Sequence, residues 1–434
     1  MKQNATIRKR RVLVMGTNFS PELTGIGKYT GEMVEWLTGC DYDCTVVTTF
    51  PYYPQWKIQS PYSGRWYKKE KHKDSCLTVY RCPMYVPASP SGLKRIVADA
   101  TFCFTSFLAL LLLLFKPRHD YIFCMAPPFL LGYLAVFYRF FKGGKMIYHI
   151  HDLQIEAARD LGIIKAGYTF KILFALERFI LQSTDVLTTV SVGMRKKIMK
   201  KTTKEVIHFP NWVNIDSFWP IEKDIAYRKS LGFDEHDKIV LYSGSLGEKQ
   251  GLDTLISIAK NLEDKPDIKF VICGTGPYKD KLVKMAELKN LKNFFFLPLQ
   301  ELCVFNQFLN MANVHLVIQK TNACDLMMPS KLTNILAVGG LALVTANPGT
   351  NLYELINDRQ MGVLVPSEDE NALKEGIIKC CNQDYATSKI NGRRYVERNL
   401  DRHEILHQLM RKIDGQHSEI HSTIIQPQGA MVNN

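Results

Sequence analysis

Short apolar runs rich in β-branched residues recur along the chain and alternate with longer stretches whose apolar positions repeat every three or four residues. In the first half the runs are Arg11–Met15, Cys44–Thr49, Leu77–Arg81, Tyr121–Met125, Lys145–His149 and Val186–Val190. The second half repeats the plan with Ile239–Ser243, Ile268–Cys273, Asn293–Leu297, Val314–Ile318 and Leu341–Thr345. Runs of this kind are strands buried on both faces, and their alternation with helical periodicity predicts parallel sheets covered by helices. The predicted fold class is therefore α/β, with two doubly wound, Rossmann-like domains. The length of 434 residues agrees, being too great for one ordinary core and suited to two domains of about 200 residues each. Residues 10–207 make the first domain and 208–392 the second. Between them Val206-Ile-His-Phe-Pro-Asn-Trp-Val-Asn214 reads as a strand running into a linker, with Pro210 interrupting regular structure. The pattern over 393–414 predicts a terminal helix, and the polar, aperiodic 415–434 predict a disordered tail. In such sheets ligands bind beyond the carboxyl ends of the strands, so the expected site is a cleft between the domains.

Each half begins with a strand followed by a glycine-rich turn and a helical pattern. In the second half this is Tyr242-Ser-Gly-Ser-Leu-Gly-Glu-Lys-Gln-Gly-Leu-Asp253. Gly244, Gly247 and Gly251 let the backbone turn sharply and approach a ligand, a helix N-terminus presents N–H groups to an anion, and Lys249 supplies countercharge. The pattern points to a phosphorylated ligand, although glycines between a strand and a helix are also ordinary turn chemistry. In the first half Gly16-Thr-Asn-Phe-Ser-Pro-Glu-Leu-Thr-Gly-Ile-Gly-Lys-Tyr29 forms a second such unit, with a helix expected from near Gly27 and with Gly25, Gly27 and Lys28 facing the loop. The spacing departs from G-x-G-x-x-G and no acidic residue stands where a ribose would need one, which argues against a redox dinucleotide.

Eleven cysteines lie scattered without metal-ligand spacing, and no signal peptide precedes them. The expectation is reduced, mostly buried thiols in the cytoplasm. The net charge of +13 is concentrated in Arg8 to Arg11, Lys68 to Lys73 and Arg195 to Lys204. Such clusters suit nucleic acid, anionic lipid or a merely solvated face. Ala100 to Phe115 decides among these, because its sixteen residues carry no charge and end in a leucine run. It falls short of the ~20 residues that span a bilayer and lies between strands of the first domain. It predicts either a helix buried against the sheet or one lying partly in the membrane interface. A nucleic-acid binder has no use for such a surface, so an anionic membrane surface is the expected partner.

Particular motifs carry a family resemblance: Asn18-Phe-Ser-Pro-Glu-Leu-Thr-Gly-Ile-Gly-Lys-Tyr-Thr30, Pro51-Tyr-Tyr-Pro-Gln-Trp56, His149-Ile-His-Asp152, Phe209-Pro-Asn-Trp212, the loop from Tyr242 to Gly251, Cys273-Gly-Thr-Gly-Pro277 and Met328-Pro-Ser-Lys-Leu-Thr333. From about residue 10 to about residue 412 the chain resembles the retaining glycosyltransferases of family 4, which have the GT-B fold. Within them it is most similar to the colanic-acid biosynthesis enzymes of the WcaI type. The resemblance implies transfer of a sugar from a nucleotide-sugar, with GDP-fucose suspected, to a polyprenyl-diphosphate-linked glycan at the cytoplasmic face of the inner membrane. It also implies that the terminal helix crosses back to the first domain. The nucleotide-sugar is a co-substrate, and no other cofactor and no metal are expected.

In this family Lys249 would neutralise the leaving diphosphate, for which a preorganised cation and backbone donors are the effective stabilisers. Gly244 and Ser245, Gly274, Gly276 and Pro277, and Ser330 and Lys331 would complete the donor site. Where the family carries two glutamates eight residues apart, this chain has Asn334 at the second position and Asp325 at or beside the first. Ser245 replaces a frequent cation, for which Lys331 is the expected substitute. His149 and His151 share a strand face and Asp152 follows at its carboxyl end. His151 and Asp152 are the predicted catalytic residues, His149 is as readily a satisfied buried ring, and Glu156 is a weaker candidate. A histidine pKa near neutrality would suit proton transfer. The competing functions are a GT-B nucleotide-sugar epimerase, which would carry more carboxylates in the cleft, and a non-enzymatic polyanion binder.

Overall fold

The computed structural model describes residues 8–22, 24–72, 76–160, 167–222, 225–320 and 329–415; Asp325, Met328 and all of the predicted tail but Gly415 lie outside them. The first domain carries β1 (Arg11–Met15), β2 (Asp43–Thr49), β3 (Lys68–His72), β4 (Leu77–Cys82), β5 (Tyr121–Ala126), β6 (Lys145–Ile150), β7 (Val186–Thr189) and β8 (Val206–His208). They form one sheet in the order β3-β4-β2-β1-β5-β6-β7-β8. Its helices are α1 (Gly25–Gly39), α2 (Gly92–Leu114), α3 (Leu131–Lys142), α4 (Gln154–Asp160), α5 (Gly167–Ser183) and α6 (Val192–Met199).

In the second domain β9 (Lys238–Ser243), β10 (Ile268–Cys273), β11 (Phe294–Leu297), β12 (Val314–Val317), β13 (Ala342–Thr345) and β14 (Val363–Val365) pair in the order β11-β10-β9-β12-β13-β14. The helices are α7 (Ile225–Ser230), α8 (Asp253–Asn261), α9 (Lys279–Leu288), α10 (Leu302–Asn310), α11 (Ser330–Ala337), α12 (Asn351–Arg359), α13 (Glu370–Asn382) and α14 (Ala386–Asn399), followed by α15 (Arg402–Ile413). The order of both sheets reverses at their first strand, between β1 and β5 and between β9 and β12. Crevices for ligands open beyond the strand ends at such reversals. Both glycine turns therefore stand at the expected places, one after β1 and one after β9.

Every predicted run forms a strand, and the central strands of both sheets are almost wholly buried. Two strands were not foreseen. β3 lies inside the Lys68-Lys-Glu-Lys-His-Lys73 cluster and pairs antiparallel with β4 at the sheet edge. An edge strand tolerates charge on both faces and is protected by it from pairing with other chains. Its charges are also used internally, since Glu70 bridges Lys68 and Arg81 at 2.9 Å each. β14 is too short to show a period. The Arg8 to Arg11 cluster is likewise no free basic surface: Arg8 pairs with Asp120 (3.7 Å), Lys9 with Asp41 (2.8 Å), Arg10 with Asp414 (2.6 Å) and Arg11 with Asp43 (3.0 Å).

The domains are joined by two crossings bonded to each other. Val213 N–H donates to the Leu400 carbonyl (2.9 Å) and Arg402 N–H to the Val213 carbonyl (3.2 Å). At the first crossing Trp212 is fully buried, stacks edge-on to Tyr29 of α1 at 5.3 Å and donates its indole N–H to Glu32 at 2.7 Å. A buried Trp whose N–H finds an acceptor is a strong anchor, and this explains the Phe209-Pro-Asn-Trp212 motif. The second crossing corrects the single helix predicted over 393–414. That segment breaks at Leu400, and Asp401 caps α15 by accepting the Glu404 N–H. Before the break α14 packs on α11 of the second domain. Beyond it α15 lies on α1, where Trp36 Nε1 donates to His403 Nδ1 at 3.0 Å and Arg402 pairs with Glu35 at 3.3 Å.

The apolar stretch sits within α2, which starts earlier than expected and has 23 residues. Phe102, Ala109, Leu110 and Leu113 join the core cluster beneath the first sheet, as expected for a covering helix. The outer side is also apolar: Phe104 is 67% exposed, Leu112 63% and Phe115 88%. By length and composition alone α2 could cross a membrane; its inner face is nonetheless committed to the sheet.

Candidate functional site

In the second domain the two glycine turns form one unit. Gly244 N–H donates to the Cys273 carbonyl (2.9 Å), Leu246 N–H to Thr275 (2.9 Å) and Tyr278 N–H to Leu246 (3.1 Å). The backbones lie so close that a Cβ at Gly274 would stand 1.9 Å from the Gly244 oxygen, and one at Gly276 2.2 Å from the Leu246 oxygen. The glycines are needed for this backbone-to-backbone contact. Ser245 and Pro277 are exposed beside it, and the Ser245 carbonyl accepts the Tyr242 hydroxyl at 2.8 Å.

The loop ahead of α8 differs from the predicted open anion cradle. Glu248–Gln250 make a single 3-10 turn, and the Gln250 side chain accepts the Gly247 N–H at 3.1 Å. Asp253 occupies the first turn of α8, where a carboxylate competes with an anion for the helix dipole. Lys249 is in the middle of the 3-10 turn, and its side chain lies outside the described residues.

The helix terminus available to an anion is instead that of α11, which follows Pro329 and has no side-chain cap. Ser330 opens this helix on its exposed side. Lys331 reaches back over the Tyr242 ring, with Nζ 3.8 Å from its centroid, and approaches Gly244. The ammonium is buried and makes no hydrogen bond among the described residues. Burial lowers its pKa to about 7. One turn on, Asn334 Oδ1 is a buried acceptor with no donor among the described residues, and so is Gln319 Oε1 just beyond β12. Three unsatisfied polar atoms thus gather about the β9/β12 reversal. Buried polar groups are normally partnered, so these orphans make this place a candidate for a ligand. Sequence reasoning named Lys331 and Asn334 but missed Gln319 and Lys320, whose stem packs 3.5 Å from where a Gly251 Cβ would be. Their only sequence signal is position, just past the end of β12.

The first glycine turn is occupied by the protein itself. The buried Glu22 carboxylate accepts the N–H groups of Tyr52 (3.0 Å) and Tyr53 (2.9 Å) and the Asn18 amide (2.8 Å). It fills the space at Gly27, where a Cβ would stand 2.6 Å from its Oε2, and the Tyr53 ring covers Gly25. These glycines therefore seat a carboxylate and a ring. Glu22, missed in the sequence, ties the turn to the Pro51–Trp56 motif. Burial raises its pKa. Lys28 does not face the loop as expected, since it turns along α1 toward Glu32 at 3.9 Å.

His149 and His151 do share a face, their rings edge-on at 4.2 Å. His149 is fully enclosed, with Nδ1 2.8 Å from Thr188 Oγ1, and is the satisfied buried ring. Burial drives its pKa well below the ordinary value. His151 is 6% exposed and its pKa falls to about 3, again through burial. This corrects the expectation of a pKa near neutrality: the imidazole is neutral and serves as a hydrogen-bonding group. Its Nε2 has no hydrogen-bond partner among the described residues. Asp152 is exposed at the carboxyl end of β6, and Glu156 points away into an ion pair with Lys201. Asp99 of α2 joins this end through Gln154, whose Nε2 donates to it at 3.1 Å while Oε1 accepts the Phe129 N–H at 2.8 Å.

A cavity of about 720 Å³ lies between the domains at the crossings. Val190 and Ser191 wall it from the first domain, Thr333 and Glu354 from the second, and Phe209 and Leu400 from the crossings. It forms the hinge end of the cleft; the glycine turns lie outside it.

Comparison with known proteins gives the family and the fold. Residues 24–212 match the family described as glycosyl transferase 4-like domain, and residues 223–395 match the glycosyl transferases group 1. The chain is 40% identical over 420 residues to the putative colanic acid biosynthesis glycosyl transferase WcaI of Escherichia coli, covering 93% of this chain and 100% of the relative. Among solved structures it resembles sucrose-phosphate synthase of Thermosynechococcus elongatus (TM-score 0.69, 16% identity, 94% of this chain and 100% of that one). It also resembles Anabaena HepE in complex with UDP and glucose (TM-score 0.64, 13% identity, 94% and 100%). A third is WaaG, a glycosyltransferase involved in lipopolysaccharide biosynthesis (TM-score 0.62, 15% identity, 93% and 100%). At these identities the likeness speaks to the fold, which is GT-B.

Proposed function

The chain belongs to the group 1, family 4-like glycosyltransferases, and from that premise we propose that it moves a sugar from GDP-fucose to a polyprenyl-diphosphate-linked glycan during synthesis of a colanic-acid-like exopolysaccharide. The observation that carries the donor site is the buried Lys331 ammonium, which has no hydrogen-bond partner among the described residues and lies over Tyr242 beside the paired glycine turns. A nucleoside diphosphate placed there receives Lys331, the uncapped amides of α11 and, from the 3-10 turn, Lys249. Charge that builds on the leaving phosphate is met by groups already in position. Asn334 Oδ1 and Gln319 Oε1 accept hydroxyls of the ribose or the sugar. These cations do what a metal would do elsewhere, so the reaction proceeds in EDTA.

Transfer is with retention. The acceptor hydroxyl approaches on the face of the sugar that the diphosphate leaves, and the leaving phosphate oxygen takes its proton. No side chain need act as base, which suits a cleft whose His151 stays neutral. His151 Nε2 and Asp152 orient the sugar or the acceptor. The apolar outer side of α2 supports a location at the interface of the cytoplasmic face of the inner membrane, where the proposed lipid-linked acceptor would be met.

The test is a thermal-shift series with GDP-fucose, GDP-mannose and UDP-sugars, since a ligand that binds only the folded state raises its stability by mass action. GDP-fucose is expected to give the largest shift, and Lys331→Ala to abolish it. A larger shift from a UDP-sugar would replace the donor, and a response to polyanions alone would remove the transferase reading of this site.

A further inference from the structure

Of the Arg195–Lys204 cluster, Arg195 lines the cavity between the domains, whereas Lys197, Lys200 and Lys201 lie elsewhere. A cavity of about 410 Å³ opens between α4, α5 and α6, lined by Arg159, Arg178, Lys197, Lys200 and Lys201, with Phe174 and Glu156 completing its wall. Lys201 is the internal support. It pairs with Glu156 and, at 2.6 Å, with Glu177, and its ammonium lies 5.1 Å from the centre of the Phe174 ring. Both carboxylates are thereby engaged by one lysine. Arg178, Lys197 and Lys200 are exposed and have no carboxylate in ion-pair reach among the described residues. The second Glu156 oxygen is buried without a donor.

The cavity borders an apolar face. On α5, Tyr168, Ile172, Leu176 and Phe179 are exposed at helical spacing, next to the stripe that carries Phe174 and Arg178. Phe179 stacks on Tyr133 of α3 at 5.6 Å, and Phe137 of α3 meets Phe107 of α2 at 5.3 Å. The three helices thus carry one apolar strip that includes the exposed Phe140 and Phe141, and the cationic cavity lies at its α5 edge. Apolar surface next to unpaired cations matches the two ends of an amphiphile.

We propose that this cavity binds the phosphate headgroup of an anionic membrane lipid whose chains run along α5. Phosphate oxygens take Arg178, Lys197 and Lys200. The inference rests on the membrane reading above and adds to it a defined site, separate from α2 and from the donor cleft.

The experiment is flotation of the full chain with vesicles of phosphatidylcholine, alone or mixed with phosphatidylglycerol. The triple variant Arg178→Ala, Lys197→Ala, Lys200→Ala is compared with a charge-matched control, Lys284→Ala, Lys289→Ala, Lys292→Ala, in the second domain. Loss of three interfacial cations is expected to weaken binding to the mixed vesicles roughly a hundredfold, with the control unchanged and the donor-induced thermal shift kept in both. Equal losses in the two variants, or none in either, would overturn the site. Wild type that floats with neither vesicle would defeat the membrane reading itself. Inorganic pyrophosphate separates the sources: stabilisation by it that only the cavity variant loses, with flotation unchanged, would assign the cavity to a soluble phosphate and overturn the lipid assignment.

Discussion

The two glycine turns look alike in sequence, each following the first strand of its domain and each containing a lysine, yet they face opposite surroundings. After β1 the turn closes on Glu22, a carboxylate with three donors of its own, which occupies the space a ligand anion would need. After β9 the turn packs on a second glycine turn and faces Lys331, a buried cation with no hydrogen-bond partner among the described residues. Glycines report where a backbone bends or approaches something closely. Whether the thing approached is a ligand is decided by the charges left unsatisfied.

The strongest way to break this contrast is Lys331→Met. Loss of a buried charge that meets the diphosphate is expected to reduce kcat/KM by at least about a hundredfold, near 3 kcal/mol, as read from initial rates. The same change removes an unpaired buried charge, so stability should hold or rise by about 1–2 kcal/mol in urea unfolding. A merely structural lysine would give the opposite pair of results.

Next is Glu22→Ala, which strands two amides and an amide side chain. It is expected to cost about 2–4 kcal/mol of stability while leaving donor affinity unchanged in calorimetry. Glu22→Gln should keep part of that stability.

Acidity sharpens the contrast further. Without donor the Lys331 pKa is about 7, below its ordinary 10.5, and a bound diphosphate raises it. Donor affinity should therefore be greatest below pH ~7 and weaken by up to about tenfold per pH unit above it. In the free enzyme the unfolded chain holds the extra proton between the two pKa values, so the stability Lys331 withholds is regained as pH rises through that window. Both slopes should vanish in Lys331→Met.

Asn334→Ala should cost about tenfold in donor affinity, one hydrogen bond's worth, and incubation with EDTA should change the rate least of all.

Much of the fold was legible because a parallel sheet buried on both faces writes its strands as apolar runs. β3 was not, because an edge strand is free to be charged, and Lys68 to His72 resembles a solvated cluster. The break at Leu400 was hidden because Val396 and Ile405 continue a helical period although they bury against different domains. At the candidate site, Lys331 was named through a motif and Asn334 through alignment of the helix that follows it. Gln319 and Glu22 were not, since an orphaned acceptor and an internally satisfied carboxylate read identically until their neighbours are known. The histidine pair illustrates the same limit. Shared facing followed from strand geometry, whereas the fall of the His151 pKa to about 3 followed only from its enclosure.

The most direct measurement is calorimetric titration of GDP-fucose into wild type, Glu22→Gln and Lys331→Met at neutral pH. Binding that survives in Glu22→Gln and disappears in Lys331→Met places the donor at the second glycine turn. Binding that survives in Lys331→Met and is lost in Glu22→Gln would place it at the first and contradict the account.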